Sequence, residues 1–352
     1  MVERILITDR GEPASTILIG AGIVGESKPD VLLPSPERTR RVAIFTHAGA
    51  DATAHRIAGC LRREGFTTAT RLLPDREEAK SLTVAEDAYL WLSDLGLTRD
   101  DTILGVGGGA LTDAAGFIAA TYLRGIETVL VPTTLLGAVD AAIGGKTAIN
   151  VGGKNLAGVF RHPQRVLIDS AVLAALPDEL LIEGAAEAVK AGLVADPALV
   201  ELYEREGRNA PLGEVVIRAV RVKAAVVSED FRESGPRAIL NYGHTIGHAV
   251  ETATGIPHGH AVAIGMVAAA DASERLIGFA DAARQRTLLE RLRLPTSSPP
   301  VDRDVVMGLM ALDKKRNAAG LRMVLLERIG SATVTAVDTA TVEAALGAVG
   351  IT

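Results

Sequence analysis

Thr102-Ile-Leu-Gly-Val-Gly-Gly-Gly-Ala-Leu-Thr-Asp113 is the stretch on which the fold turns. Thr102–Val106 is a short apolar run of the kind that forms a buried strand, and Ala110–Leu123 carries the apolar spacing of a helix. Between them, Gly105-Val106-Gly107-Gly108-Gly109 lets the backbone approach a ligand, while the helix that follows offers free N–H groups to a diphosphate. Its spacing is not G-x-G-x-x-G, which disfavours an ordinary dinucleotide-binding dehydrogenase.

Outward from this unit the same alternation repeats. Arg41–Thr46, Thr67–Leu73, Glu127–Val131 and Arg165–Ile168 read as strands, and Ala52–Glu64 and Thr83–Leu95 as helices. Strands and helices in this order predict a parallel sheet covered on both faces, with ligands at the carboxyl ends of its strands. From about Pro177 the pattern becomes helical, over Glu179–Ala195, Leu212–Ser228, Asn241–Thr254, Ala261–Leu276 and Ala280–Leu292. Leu294–Asp304, with three prolines and two serines, reads as a loop. The expected fold is an α/β, Rossmann-like parallel-sheet domain over residues 1–175, followed by a mostly α-helical domain over residues 176–352.

Composition narrows the function classes. A chain of 352 residues exceeds one ordinary core, and with aromatics at 3% its cores must be aliphatic. The formal charge of -6 argues against nucleic acid or an anionic membrane as the main partner. The apolar run Ala261–Ala270 ends at Asp271, too short to cross a bilayer. A single cysteine, Cys60, cannot form an internal disulfide, and the N-terminal residues lack an export pattern, so the expected location is cytoplasmic.

Three further groups of residues carry chemistry. His244-Thr-Ile-Gly-His248 sets two imidazoles four residues apart on one helix face, and His258-Gly-His260 follows closely. That spacing suits convergence on a metal or a substrate. In Glu183-Gly-Ala-Ala-Glu187-Ala-Val-Lys190, the three charged positions share a face otherwise made of small residues. Glu187 is placed to complete a two-histidine metal site, although solvated Glu–Lys faces are common on helices. Finally Arg124, Lys146, Lys154, Lys190, Lys223, Arg237, Lys314 and Lys315 lie in glycine-rich or polar segments of an acidic protein, a placement that suits an anionic substrate.

These segments together resemble the 3-dehydroquinate synthase family of sugar-phosphate cyclases, roughly from Arg41 to Gly330. The resemblance rests on Gly107-Gly-Gly-Ala-Leu-Thr-Asp113, Tyr122-Leu-Arg124-Gly, Val131-Pro-Thr133-Thr134, Val139-Asp140-Ala-Ala-Ile-Gly-Gly-Lys146 and Gly153-Lys154-Asn155. It continues through Ala186-Glu187-Ala-Val-Lys190, Arg232-Glu-Ser-Gly-Pro-Arg237, Asn241-Tyr-Gly-His244-Thr-Ile-Gly-His248 and Asp313-Lys314-Lys315. It implies an NAD-binding first domain, a helical metal-binding second domain, a cleft between them and a homodimer. Glu187, His244 and His258 would hold a divalent ion, zinc or cobalt. Glu77 and Lys80 would lie at the adenosine-ribose end of the cofactor, with Gly108, Gly109, Asp113, Thr133, Thr134, Asp140 and Lys154 along it. Lys146, Asn155, Arg237, His248 and a neighbouring subunit's Arg124 would hold phosphate and carboxylate. Lys190, Lys223, Asn241 and the Lys314–Lys315 pair would hold the carboxylate and ring hydroxyls.

The implied reaction converts 3-deoxy-D-arabino-heptulosonate 7-phosphate to 3-dehydroquinate and phosphate. A hydroxyl is oxidised transiently, phosphate is eliminated, the ketone is reduced back, and ring opening and aldol closure follow. The chain departs from the common pattern at Thr46-His47, where many members have an aspartate, and at Val172, Ala175 and His260. Its loop Asn150-Val-Gly-Gly-Lys154 is one residue shorter than usual. Alternatives left open are a sibling cyclase, such as an amino-dehydroquinate or 2-deoxy-scyllo-inosose synthase, an iron-type or glycerol dehydrogenase, and a non-catalytic relative.

Overall fold

A computed structural model describes residues 2–25, 28–315 and 321–352, without the side chains of 312–315. The chain divides into two units, one of Met1–Pro177 with Lys223–Arg232, the other of Asp178–Val222 with Glu233–Thr352.

The first unit is built on a seven-stranded sheet. Its strands are β1 (Glu3–Asp9), β2 (Glu12–Gly20), β3 (Arg41–Thr46), β4 (Thr67–Leu72), β5 (Thr102–Gly107), β6 (Glu127–Pro132) and, after the small ladder β7 (Lys146–Ile149) and β8 (Ala157–Phe160), β9 (Arg165–Asp169). The order is β1-β2-β9-β6-β5-β3-β4. All neighbours are parallel except the β1–β2 hairpin. All six residues of β5 are buried, as befits a central strand covered on both faces. Gly105 makes that covering close, since a Cβ there would stand 2.6 Å from the Ala115 Cβ of helix Gly109–Thr121. Val42, Ile44, Leu104, Val106, Val129 and Val131 pack with Ala54, Ile57 and Leu61 of helix Asp51–Arg63 in an aliphatic core. The strand order reverses between β3 and β5, so their carboxyl ends form the crevice where such sheets bind ligands.

Residues 223–232 cluster with this unit although the sequence places them among the later helices. The reason is visible in their bonds. Lys223 reaches Asp140, Ser228 Oγ accepts the Thr8 N–H at 3.0 Å, and Phe231 stacks on His162 with ring centres 4.0 Å apart.

The second unit is mostly helical, with helices Asp178–Ala195, Pro197–Glu206, His244–Thr254, His258–Ile277, Ala282–Arg291, Arg303–Lys315 and Thr339–Ala348. Helix Leu212–Glu229 begins in it, and a hairpin of β10 (Arg322–Arg328) and β11 (Ser331–Ala336) completes it. Helices His244–Thr254 and His258–Ile277 cross at glycine. A Cβ on Gly265 would lie 1.8 Å from the Gly243 carbonyl oxygen, and one on Gly247 would lie 2.8 Å from that of Ala261. This close crossing brings the histidine-bearing ends together. No helix among the described residues is long and apolar enough to cross a membrane.

Candidate active site

Most of the predicted residues described fall into two clusters, one in each unit. In the first, Gly108 caps helix Gly109–Thr121 without a side chain, so among the described residues no side-chain cap covers the first-turn N–H groups. Thr133 N–H donates to the Gly107 carbonyl at 2.9 Å, and the Thr134 hydroxyl accepts the Gly137 N–H at 3.1 Å. A Cβ on Gly108 would stand 3.3 Å from Thr134 Cγ2. Gly108, Gly109, Thr133 and Thr134 therefore surround the carboxyl ends of β5 and β6. Open amide donors at a helix N-terminus, beside the point where strand order reverses, fit the diphosphate of a dinucleotide. His47, at the end of β3, packs here, with its Cδ2 only 2.9 Å from where a Gly107 Cβ would be.

Beside this crevice Lys80, 2% exposed, donates to Asp113 Oδ2 at 2.6 Å and to the side-chain oxygen of Asn155. Burial pushes the Asp113 carboxyl up to about 6, against the pull of Lys80. Glu77 accepts from Asn150 Nδ2 at 2.8 Å and has Lys154 Nζ 4.0 Å from its other oxygen. The sequence reading set Asn155 with phosphate and Lys80 with the cofactor; the structure bonds the two to each other. Asp140 lies in the turn Gly137–Ala141, wound as a π-helix, where Lys223 Nζ donates to its carbonyl at 2.6 Å and to its carboxylate. Lys146 opens β7 behind Gly144 and Gly145, and is exposed. Arg124 is exposed in a turn where it and Leu123 both have positive φ. Among the described residues no hydrogen bond or ion pair ties Arg124 to either cluster.

The second cluster centres on Glu187, 2% exposed in helix Asp178–Ala195. Neither of its carboxylate oxygens has a hydrogen-bond partner of good geometry among the described residues. Instead Lys190 forms a close ion pair with Oε2, and His258 Nε2 and His244 Nε2 stand 3.5 and 3.6 Å from Oε1. Donors around one tetrahedral zinc, each at about 2.1 Å, would be about 3.4 Å apart. The buried carboxylate and the two imidazole nitrogens thus fit a divalent ion. His248, exposed, belongs to the same group, its ring 4.9 Å from that of His244, and the ligating atoms of the three histidines lie within 4.8 Å of one another.

The surroundings prepare each donor. Burial raises the Glu187 carboxyl, but Lys190 and the two imidazoles outweigh it and hold the group well below its ordinary range, as an ion. Burial, then the Lys190 charge, keeps His244 neutral, while its Nδ1–H faces the Tyr242 carbonyl at 3.2 Å and leaves Nε2 for a ligand. His258 Nδ1 is held by Glu251 Oε2 at 2.9 Å, which likewise turns Nε2 toward Glu187. Glu251 was absent from the sequence reading. Its signal was there, at the third position of a His244, His248, Glu251 series on one helix face.

Arg237 and Lys190 are each 2% exposed, and Asn241 donates to Glu233 at 2.6 Å. The backbone of Lys314 and Lys315 ends helix Arg303–Lys315, but their side chains lie outside the described residues.

Two family profiles match the chain, described as 3-dehydroquinate synthase N-terminal over residues 70–183 and 3-dehydroquinate synthase C-terminal over residues 184–316. A 3-dehydroquinate synthase of Thermobifida fusca is 45% identical over 334 residues, covering 91% of this chain and 89% of the relative. One from Streptomyces avermitilis is 43% identical, covering 95% and 94%. Among solved structures, a 2-deoxy-scyllo-inosose synthase complexed with carbaglucose-6-phosphate, NAD+ and Co2+ superposes with a TM-score of 0.88 at 27% identity, covering 98% and 99%. The 2-epi-5-epi-valiolone synthase of Streptomyces hygroscopicus, with NAD+ and Zn2+ bound, gives 0.87 at 26%, covering 96% of each chain. A probable glycerol dehydrogenase from Sinorhizobium meliloti, at 0.68 and 18%, covering 95% of each, shares the fold alone. The chain belongs to the 3-dehydroquinate synthase family.

Proposed function

We propose that this chain is a 3-dehydroquinate synthase, releasing phosphate from 3-deoxy-D-arabino-heptulosonate 7-phosphate as it forms the carbocycle. The observation that carries the reading is the convergence of Glu187, His244 and His258 in a chain 45% identical to a 3-dehydroquinate synthase. The first domain would hold NAD at Gly108, Gly109, Asp113, Thr133, Thr134, Asp140 and Lys154, with Glu77 and Lys80 at the ribose end. The second domain would hold zinc or cobalt at Glu187, His244 and His258. When bound, these groups supply a hydride acceptor that later returns the hydride, and a Lewis acid that makes the reacting hydroxyl easier to deprotonate.

The residues of the chain do the rest. Lys190 keeps Glu187 ionised, and the Tyr242 carbonyl and Glu251 fix which nitrogen each histidine presents. Lys146, Asn155, Arg237 and His248, with Arg124 of a neighbouring subunit in a homodimer, would hold phosphate and carboxylate. A dianionic phosphate and a carboxylate call for such a set, and for guanidinium above all, since its planar fork matches both anions. Lys190, Lys223, Asn241 and the Lys314–Lys315 pair would orient the carboxylate and ring hydroxyls. A single cysteine, Cys60, suits work in a reducing cytoplasm.

The structural likeness to 2-deoxy-scyllo-inosose synthase, with its TM-score of 0.88, is the observation that favours a sibling cyclase as a second reading. Purified protein given NAD and Zn2+ decides between them. Phosphate release from the heptulosonate phosphate, abolished by chelator and absent with glucose 6-phosphate or sedoheptulose 7-phosphate, supports the proposal. Turnover of either control substrate with silence toward the heptulosonate contradicts it.

A further inference from the structure

The loop Asn150–Asn155 carries two of the proposed ligand-binding side chains, Lys154 and Asn155. Asn150 accounts for how it holds them. Its N–H donates to the Lys80 carbonyl at 2.6 Å, its Nδ2 donates to Glu77 Oε2 at 2.8 Å, and its Oδ1 accepts the Asn155 N–H at 2.8 Å. The side-chain amide cannot be turned round, because a carboxylate only accepts and a backbone N–H only donates. Within the loop, Gly152 and Asn155 both take positive φ, 68° and 59°. The chain thus doubles back so that Asn155 returns to Asn150, and the Asn155 side-chain oxygen receives Lys80 Nζ. Glu77, fixed through one oxygen by Asn150, keeps the other 4.0 Å from Lys154 Nζ.

We infer that Asn150 is a positioning residue for the dinucleotide, pinning the Lys154–Asn155 loop to Glu77 through one side chain that donates and accepts at once. The inference rests on the proposed function, which assigns Glu77, Lys80 and Lys154 to the cofactor. It differs in that Asn150 is given no contact with the ligand.

The test exploits the polarity of the bond. Asn150→Asp keeps the acceptor for Asn155 but sets a second carboxylate against Glu77. Asn150→Asp combined with Glu77→Gln exchanges donor and acceptor and restores the pair. NAD affinity, by calorimetry on the full chain, and trypsin cleavage after Lys154, by mass spectrometry, are measured for wild type, both single variants and the double variant. The expected result is NAD affinity lowered about tenfold in Asn150→Asp, the scale of a hydrogen bond to a charged group, with faster cleavage after Lys154. Asn150→Asp should cost less NAD affinity, and speed cleavage less, in the Glu77→Gln background than in wild type. Unaltered affinity or unaltered cleavage in Asn150→Asp overturns the inference, as does an Asn150→Asp effect equally large with and without Glu77→Gln. Wild-type protein that binds no NAD overturns the proposed function and the inference with it, whereas wild-type binding with unaltered Asn150→Asp affinity overturns the inference alone.

Discussion

Replacing Glu251 with alanine removes the only described side-chain acceptor for His258 Nδ1 and leaves the rest of the metal cluster in place. The bond is 2.9 Å long between side chains 18% and 24% exposed, so it is charge-assisted and only partly screened. Such bonds contribute about 1.5–3 kcal/mol, and outer partners of metal-binding histidines are typically worth about 10–100-fold in metal affinity. The two scales agree, since a tenfold change is about 1.4 kcal/mol. Proton competition acts in the opposite direction. Burial opposes charge on His258, but Glu187 and Glu251 together push it up to about 10, so a proton must leave before a metal can take Nε2. Without Glu251 that proton leaves more readily. The loss of zinc affinity in Glu251→Ala should therefore be smallest at neutral pH and widen as pH rises. Glu251→Gln, which keeps a neutral acceptor, should lose less. Competition with a chromophoric chelator reads the affinity at each pH, and the visible spectrum of the cobalt form reports the ligand geometry. Zinc affinity equal to wild type across the whole pH range would refute the assignment.

Other outcomes follow from the same geometry. His244→Ala should lose both bound metal and turnover, read by metal analysis of the purified protein beside the phosphate-release assay; full activity with stoichiometric zinc contradicts the ligand set. Gly265→Ala forces a Cβ to 1.8 Å from the Gly243 carbonyl, so it should destabilise the protein by about 1–3 kcal/mol in denaturant unfolding and weaken metal binding as the two helices separate. Asp113 has a folded pKa raised to about 6 from 3.8, so its stabilising contribution is complete below about pH 4 and is lost as pH rises through 6. Asp113→Asn removes that slope. Its stability relative to wild type should rise between pH 4 and 7 by up to roughly 3 kcal/mol, and parallel unfolding curves at the two pH values contradict the shift.

The sequence made the central strands legible because β3, β5 and β6 are apolar runs bounded by turns, and each appears within a residue or so of its expected place. The β1–β2 hairpin went unread. Its turn, Arg10-Gly11, has φ of 52° and 87°, a conformation normally announced by Asn-Gly or Asp-Gly, and arginine in the first position hides it. The helix expected from Asn241 begins at His244, because Gly243 at φ 80° breaks the run and leaves Asn241 in a separate turn. Helix Arg303–Lys315 follows the loop expected between helices, whereas the β10–β11 hairpin and helix Thr339–Ala348 were not anticipated.

For the site, spacing alone could pair His244 with His248. Only the packing of three helices brings Glu187 and His258 to the same point, with the His258 and His244 Nε2 atoms 3.5 and 3.6 Å from Glu187 Oε1. Lys223 is the clearest limit of sequence reading. Helical periodicity assigns it to the second domain, whereas its ammonium is bonded to Asp140 of the first unit across 83 residues of chain. Contacts of that range leave no local pattern.

In the proposed reaction the hydride leaves the substrate and returns to it, so NAD is reused while phosphate is released. The most direct measurement is the amount of phosphate freed per NAD added, with NADH followed in the same sample, using 3-deoxy-D-arabino-heptulosonate 7-phosphate and zinc-loaded protein. Many phosphates per NAD and no accumulating NADH are expected. NADH accumulating mole for mole with product, as in the dehydrogenases that share this fold, would contradict it.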